Sequence, residues 1–184
     1  MKGTLDSVLN VPSIVIPFRG EDAKQRLPEG FRAELAGAML ADVVAAAEEV
    51  GRVIIADAGG QGLAVEAALS DARESPVLVV NADLPAVTPR DLLALLGSIP
   101  PDGIAVAAAS DGTTNALGLS ARGLFEPVYG PGSASRFLAL APSRLVEIPN
   151  LTDDVDTLDD LDQLEPRVGP NTRAALESLR SGAR

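Results

Sequence analysis

The run Pro-Val-Leu-Val-Val-Asn-Ala-Asp-Leu-Pro from Pro76 to Pro85 places one carboxylate, Asp83, just beyond four apolar residues, mostly β-branched. Such a run suits a central parallel strand buried on both faces. The carboxyl ends of strands in an open α/β sheet form the ligand crevice. Asp83 at that place serves either as a metal ligand or as a cap for the next helix or turn. Farther along, Leu151-Thr152-Asp153-Asp154-Val155-Asp156-Thr157 supplies further carboxylates. If 154–156 is extended, alternation points Asp154 and Asp156 to one face. Two like charges there are costly unless a cation joins them, and Mg²⁺ favours a few carboxylates completed by water and phosphate. The competing role for this stretch is capping of an acidic helix by Thr157 and Asp160, which resembles a capping box. The two roles are compatible, because Asp154 and Asp156 precede the cap.

Cations gather in a different place. Arg19, Lys24, Arg26 and Arg32 follow the first apolar run of a chain whose formal net charge is −11, and Lys occurs only at positions 2 and 24. A loop after the first strand of an α/β sheet is a natural phosphate site, and Arg and Lys suit triphosphate oxygens. A solvated charged loop explains the same residues equally well. Asp57-Ala58-Gly59-Gly60-Gln61-Gly62 is an incomplete dinucleotide fingerprint and reads first as a tight strand-to-helix turn. Asp111-Gly112-Thr113-Thr114-Asn115 and Tyr129-Gly130-Pro131-Gly132-Ser133 are more informative as a pair. The second leads into a helix with Ser133, Ser135 and Arg136 in its first turn, which makes either an anion site or, for Ser133, a simple N-cap.

Composition narrows the chemistry. The chain has no histidine, which removes the commonest general base, and no cysteine, which removes disulfides and thiolate catalysis. Carboxylates, Arg, Lys, hydroxyls or a bound metal must do the work, and phosphoryl or nucleotidyl transfer meets that restriction. The acidic balance argues against nucleic acid as a partner. No stretch of about 18 apolar residues exists and the amino terminus lacks a signal-peptide pattern, so the expectation is a cytoplasmic protein without a membrane partner. Hydrophobic residues make up 46% but aromatics only 3%, so the core must be Ala, Val, Leu and Ile.

The elements that must position these groups follow from period and punctuation. Strands are expected at Val11 to Phe18, Arg52 to Ala56, the Asp83 segment, Ile104 to Ala109, around Leu117 and Leu119, and Leu145 to Ile148. Helices are expected at Leu35 to Val50, Leu63 to Ala72, Thr88 to Leu96 with Pro89 in its first turn, Ser133 to Ala141, Thr157 to Leu164 and Asn171 to Leu179. Alternating strands and helices indicate a doubly wound α/β fold with a mixed, mainly parallel sheet. No repeat or linker divides residues 1–184, so one domain is expected, with a core at about 11–165 and a last helix at about 171–180.

These segments together resemble the guanylyltransferases that form the phosphoenolpyruvate- or 2-phospholactate-GDP intermediate of coenzyme F-420 biosynthesis. The matching residues are Ile16-Pro17-Phe18-Arg19, Ala23-Lys24-Gln25-Arg26-Leu27, Asn81-Ala82-Asp83-Leu84-Pro85, Asp111 to Asn115, Tyr129 to Ser133, and Asp154-Val155-Asp156-Thr157 through Asp160-Leu161. They span most of 12–162 and keep the family's order. The resemblance implies a Rossmann-like nucleotidyltransferase fold, with Lys24, Arg26 and neighbouring groups (Pro17, Arg19, Gly62) holding GTP. It implies that Asp83, Asp154 and Asp156 bind Mg²⁺, with Asp83, Lys24 and Arg26 serving catalysis. It further implies that Asn115, Gly130 and Ser133 hold a phosphoenolpyruvate-type acceptor, and that a downstream transferase receives the product. Family members have another strand–helix unit between the helix ending near Val50 and the Gly-rich turn, whereas a single strand stands there in this chain. The expectation is therefore a different enclosure of the guanine base.

Overall fold

The structure is a computed structural model that describes residues 11–18, 26–27, 29–57, 59–72 and 76–182. Arg19 and Lys24, both assigned above to the nucleotide, lie outside the described residues.

The apolar runs form the middle of a sheet. β1 (Ser13–Pro17), β3 (Val77–Val80) and β4 (Ile104–Ala108) are buried nearly throughout. Their period of two feeds two cores at once. Ile14, Ile16, Leu78, Val80, Ala105 and Ala107 pack on one face, and Val15, Val77, Val79, Ile104 and Val106 on the other. With β2 (Arg52–Ala56), β5 (Thr114–Leu119) and β6 (Ser143–Leu145) the order is β2-β1-β3-β5-β4-β6. β5 is antiparallel to both β3 and β4, and the remaining pairs are parallel. This is the mixed, mainly parallel α/β sheet expected from the element pattern.

Helices cover both faces. α1 (Arg32–Glu48), α3 (Pro89–Gly97) and α5 (Pro149–Thr152) supply Val43, Leu92, Leu95 and Leu151 to the first core. α2 (Gln61–Leu69) and α4 (Ser133–Leu138) supply Val65, Leu69, Ala134 and Phe137 to the second. α6 (Leu158–Leu164) and α7 (Pro170–Gly182) close a third cluster against α1, through Leu161, Leu164 and Leu176 on Leu35 and Met39.

Several boundaries differ from expectation for identifiable reasons. α4 stops at Leu138, short of the expected Ala141, and the strand expected at Leu145 to Ile148 lies at Ser143–Leu145 instead. Ile148 is the extended residue before α5, whose first helical position is Pro149, so that segment turns into a helix rather than continuing the ladder. β5 starts at Thr114, earlier than the apolar pair Leu117 and Leu119 suggests, because its polar first residues are buried in the site. β2 is an edge strand and runs directly into α2, so this chain does place one strand between α1 and the Gly-rich turn.

A buried carboxylate fixes the last helix. Asp42 on α1, 5% exposed, accepts hydrogen bonds from Asn171 N (3.0 Å), Asn171 Nδ2 (2.8 Å) and Thr172 N (2.8 Å). It caps α7 from another helix, satisfying amides that a helix start leaves open. Gly169 lies against this carboxyl where any Cβ would overlap it, and its amide donates to Pro85 O at 2.8 Å. The end of the chain is thus tied to the loop that holds Asp83.

Candidate active site

Asp83 lies just past β3, in the turn toward α3. Asn81 sets the entry to that turn. Its amide donates to Asn115 O (2.9 Å), its Nδ2 to Thr114 O (3.2 Å), and its Oδ1 accepts from Gln61 Nε2 (2.8 Å). Val155 N then donates to Asp83 O at 3.0 Å, which lays the extended 154–156 segment beside the turn. Val155 is fully buried, so the alternation of an extended chain sends Asp154 and Asp156 the other way. One carboxylate oxygen each from Asp83, Asp154 and Asp156 lies within 4.8 Å of the other two. The three residues assigned to a metal from sequence come together.

The electrostatics of this triad are unbalanced. Burial pushes the Asp154 carboxyl above the ordinary carboxylate range, and the neighbouring Asp83 charge pushes it further, with a smaller push from Asp156. A hydrogen bond from Asn115 Nδ2 to Asp154 Oδ1 (3.2 Å) works in the opposite direction. A hard divalent cation would reverse the balance, because each carboxylate would then face an opposite charge. Three oxygen donors suit Mg²⁺ or Mn²⁺, and His and Cys, the donors a softer metal prefers, are absent from the sequence. The residues present fit a metal of that class.

The capping role also holds. Thr157 and Asp160 form a reciprocal capping box on α6. Asp160 Oδ2 accepts from Asp156 N (3.0 Å) as well as from Thr157 N (2.8 Å), so the cap also fixes the backbone of a triad residue. Arg26 NH1 stands 3.5 Å from Asp156 Oδ2. A cation assigned to nucleotide phosphate therefore sits at the rim of the triad. Pro17 ends β1, at the same carboxyl edge of the sheet as Asp83.

The paired Gly-rich segments form one wall. Asp111 Oδ1 accepts from Thr113 N (2.9 Å) and Thr113 Oγ1 (2.6 Å), and these bonds hold its carboxyl below the ordinary range. Gly112, Gly130 and Gly132 all have positive φ, of 82°, 105° and 71°. Ala134 N bonds Gly112 O, and Thr114 Oγ1 and Ser133 Oγ are 2.9 Å apart, so the two segments pack directly together. Asn115 and Ser133 are 2% and 0% exposed, so they form a buried floor of this wall rather than an open surface.

One expectation needs correction. Arg136 does not offer its guanidinium to an anion: it donates to Val128 O (3.0 Å), Pro131 O (2.7 Å) and Tyr129 O (3.1 Å). The fork is consumed in shaping the loop, whose carbonyls point inward because two of its glycines take left-handed conformations. Gly62, assigned to the nucleotide, faces Pro127, where a Cβ would come to 2.8 Å of the ring. Its lack of a side chain is required by that packing.

Sequence alone misses the supports. Asn150, Arg167 and Asp42 are single polar residues whose partners lie far along the chain, so no local pattern marks them, and Gln61 and Asn81 stand in segments noted without their pairing. A cavity of about 310 Å³ adjoins Asp154 and is lined in part by Ser110, Thr152, Asp160 and Arg167.

Known proteins carry this chain's pattern over most of its length. The phosphoenolpyruvate guanylyltransferase of Roseiflexus castenholzii is 34% identical over 197 residues, covering 88% of this chain and 92% of that protein. The chain belongs to the phosphoenolpyruvate guanylyltransferase family. Relatives of the same name from Streptomyces scabiei and Nocardia farcinica are 38% and 39% identical over 134 and 129 residues, or 66% and 67% of this chain. The chain spans only 62% and 57% of their lengths. The Roseiflexus alignment runs over 197 positions, more than the 184 residues present here, so that relative of the family has residues with no counterpart in this chain. No family model matches.

Among solved structures, a candidate nucleotide-diphospho-sugar transferase of Desulfovibrio desulfuricans superposes with a TM-score of 0.65 at 17% identity, over 92% of this chain and 95% of that one. A Mycobacterium tuberculosis protein in complex with manganese gives 0.52 at 20% identity, over 85% and 98%. These likenesses establish the fold. No helix among the described residues is long and apolar enough to cross a membrane.

Proposed function

We propose that this chain is a Mg²⁺-dependent guanylyltransferase that moves GMP from GTP onto the phosphate of phosphoenolpyruvate, or of 2-phospholactate, in coenzyme F-420 biosynthesis. The convergence of Asp83, Asp154 and Asp156 within 4.8 Å, in a chain of this family, is the observation that carries the proposal. An acceptor phosphate oxygen attacks the α-phosphorus of GTP. The bond from that phosphorus to the bridging oxygen breaks, and pyrophosphate leaves with the bonding pair. The acceptor phosphate is already an anion, so no side chain has to remove a proton, in keeping with the absence of histidine. A metal held by the three aspartates would supply neutralisation of charge on the phosphoryl oxygens.

The chain's own groups do the rest. Arg26, at the rim of the triad, would meet the departing pyrophosphate, and the family resemblance assigns Lys24, Arg19, Pro17 and Gly62 to the nucleotide as well. Gly130 offers backbone to the acceptor above the floor formed by Asn115 and Ser133. Asn115 also holds Asp154, which joins the acceptor wall to the metal side in one side chain.

Mass spectrometry of products formed from GTP, Mg²⁺ and a mixture of phosphoenolpyruvate, 2-phospholactate and 3-phosphoglycerate tests the proposal. The expected result is a GMP adduct of phosphoenolpyruvate with matching pyrophosphate. Pyrophosphate release from another nucleotide with another acceptor would reassign it to a related nucleotidyltransferase.

One observation favours a second reading. A single strand joins α1 to the Gly-rich turn, and its relative carries residues this chain lacks. The chain would then be a non-catalytic phosphometabolite-binding module. Thermal-shift titration separates the two, since stabilisation by phosphoenolpyruvate and none by any nucleotide with Mg²⁺ favours the module.

A further inference from the structure

The segment between α6 and α7 touches both halves of the aspartate triad without belonging to it. Arg167 NH2 donates to Asp153 Oδ2 at 2.8 Å, and Arg167 NH1 donates to Asn150 Oδ1 at 2.8 Å. Asn150 Nδ2 in turn donates to Asp91 Oδ2 (3.0 Å), the carboxylate that forms a capping box with Thr88 at the start of α3. Two residues after Arg167, the Gly169 amide bonds Pro85 O, two residues from Asp83. The neighbour of Asp153 is Asp154, and the turn that carries Asp83 is bonded at Pro85 to the same segment.

Asp153 is thus held by a guanidinium outside the triad, while its neighbour Asp154 is one of the three members. The Arg167 and Asp153 side chains are 42% and 43% exposed. A pair that exposed adds little to global stability, so its contribution lies in direction. Without it, a third carboxylate next to Asp154 loses its cation and is free to swing toward a cluster that already repels itself. Second-layer groups of this kind orient ligands and tune metal affinity.

We infer that Arg167 is a positioning residue for the metal-binding loop, holding Asp153 away from the triad and anchoring residues 153–156 to α3 through Asn150. The inference rests on the proposed metal role of Asp83, Asp154 and Asp156. It adds a residue outside the triad and outside the Gly-rich wall, on the cavity that adjoins Asp154.

The test measures Mn²⁺ binding to the full chain by electron paramagnetic resonance, with thermal melts as a check on folding. Arg167→Met should weaken Mn²⁺ affinity by about 10-fold, the lower range for loss of a supporting group, with a melting temperature close to wild type. The KM for Mg²⁺ in turnover should rise in parallel while kcat at saturating Mg²⁺ stays near wild type, and Arg167→Lys should restore part of the loss. Asp153→Asn serves as a second variant on the other half of the pair. Its effect combined with Arg167→Met should fall short of the product of the two.

Arg180→Met is the control, because Arg180 is an equally exposed arginine that pairs with Asp162 and Glu165, neither of them a triad residue or a neighbour of one. Equal Mn²⁺ affinity in Arg167→Met and wild type, or an equal loss in Arg180→Met, would overturn the inference alone. Absence of Mn²⁺ binding by the wild-type chain itself would instead remove the metal role, and the inference with it.

Discussion

Two sets of carboxylates are held in fixed places by the fold, buried Asp42 and the half-buried triad, and they are treated in opposite ways. Asp42 is surrounded by donors: two backbone amides and a carboxamide converge on its two oxygens. Asp83, Asp154 and Asp156 are turned toward one another, and the Asp154 carboxyl is pushed up by burial and by Asp83. A buried charge with its donors in place is a structural fastener, whereas like charges held together mark a site built for a cation that arrives later. What the neighbours of each carboxylate are, hydrogen-bond donors for Asp42 and other carboxylates for Asp154, separates the two.

The sharpest test of that contrast is Asp83→Asn. Turnover should fall by roughly 10³-fold, the scale for losing one electrostatic contributor at a reacting phosphate, and the metal-induced rise in melting temperature should vanish. The fold should survive, as the N-caps of the neighbouring described helices α3 and α6 are Thr88 and Thr157. Near-normal pyrophosphate release by this variant would break the comparison outright.

Asp42→Ala should behave in the reverse manner. Leaving the α7 amides without acceptors costs about 2–3 kcal/mol, which for a chain of this size lowers the melting temperature by roughly 5–10 °C. The folded protein should still be stabilised by Mn²⁺. Denaturant melts with and without Mn²⁺ check both halves, and a variant that keeps its stability but loses the metal response would place Asp42 in the wrong group.

The smallest effect is the most diagnostic. Asp154→Asn removes one of the mutually repelling charges, so the metal-free protein should gain slightly, on the order of 1 °C once solvent screening is allowed for. The same sign governs pH. A carboxyl raised in the folded state favours folding while protonated, and that contribution fades as pH rises through the folded value. Metal binding needs the deprotonated form, so Mn²⁺ affinity should weaken as pH falls toward the carboxylate range, beginning at higher pH in wild type than in Asp154→Asn. Identical pH profiles would mean that Asp154 carries no such load.

The triad was legible in the sequence and the fastener was not. Asp83 follows a strand that can be recognised locally, and Asp154 and Asp156 show the spacing of an extended chain, so short-range periodicity was enough. The strands β1 to β4 were legible for the same reason. Asp42 occupies an ordinary position on a helix, and its partners are 129 and 130 residues away, a distance at which no periodic signal survives. Arg136 failed differently. Its place in the first turn of α4 suggested an anion ligand, but the turn's own inward carbonyls, created by Gly130 and Gly132, compete for the guanidinium and win. Helix α5 escaped because four residues with one proline carry too little pattern to be told from a strand end.

The Asp42 fastener also sets an order of events during synthesis. The carboxylate emerges from the ribosome early, but the amides it needs are made 129 residues later, and Gly169, which tethers the Asp83 turn, emerges just before them. Contacts of such long range close last. A nascent chain can therefore build most of its sheet while the corner that carries the three aspartates is still incomplete.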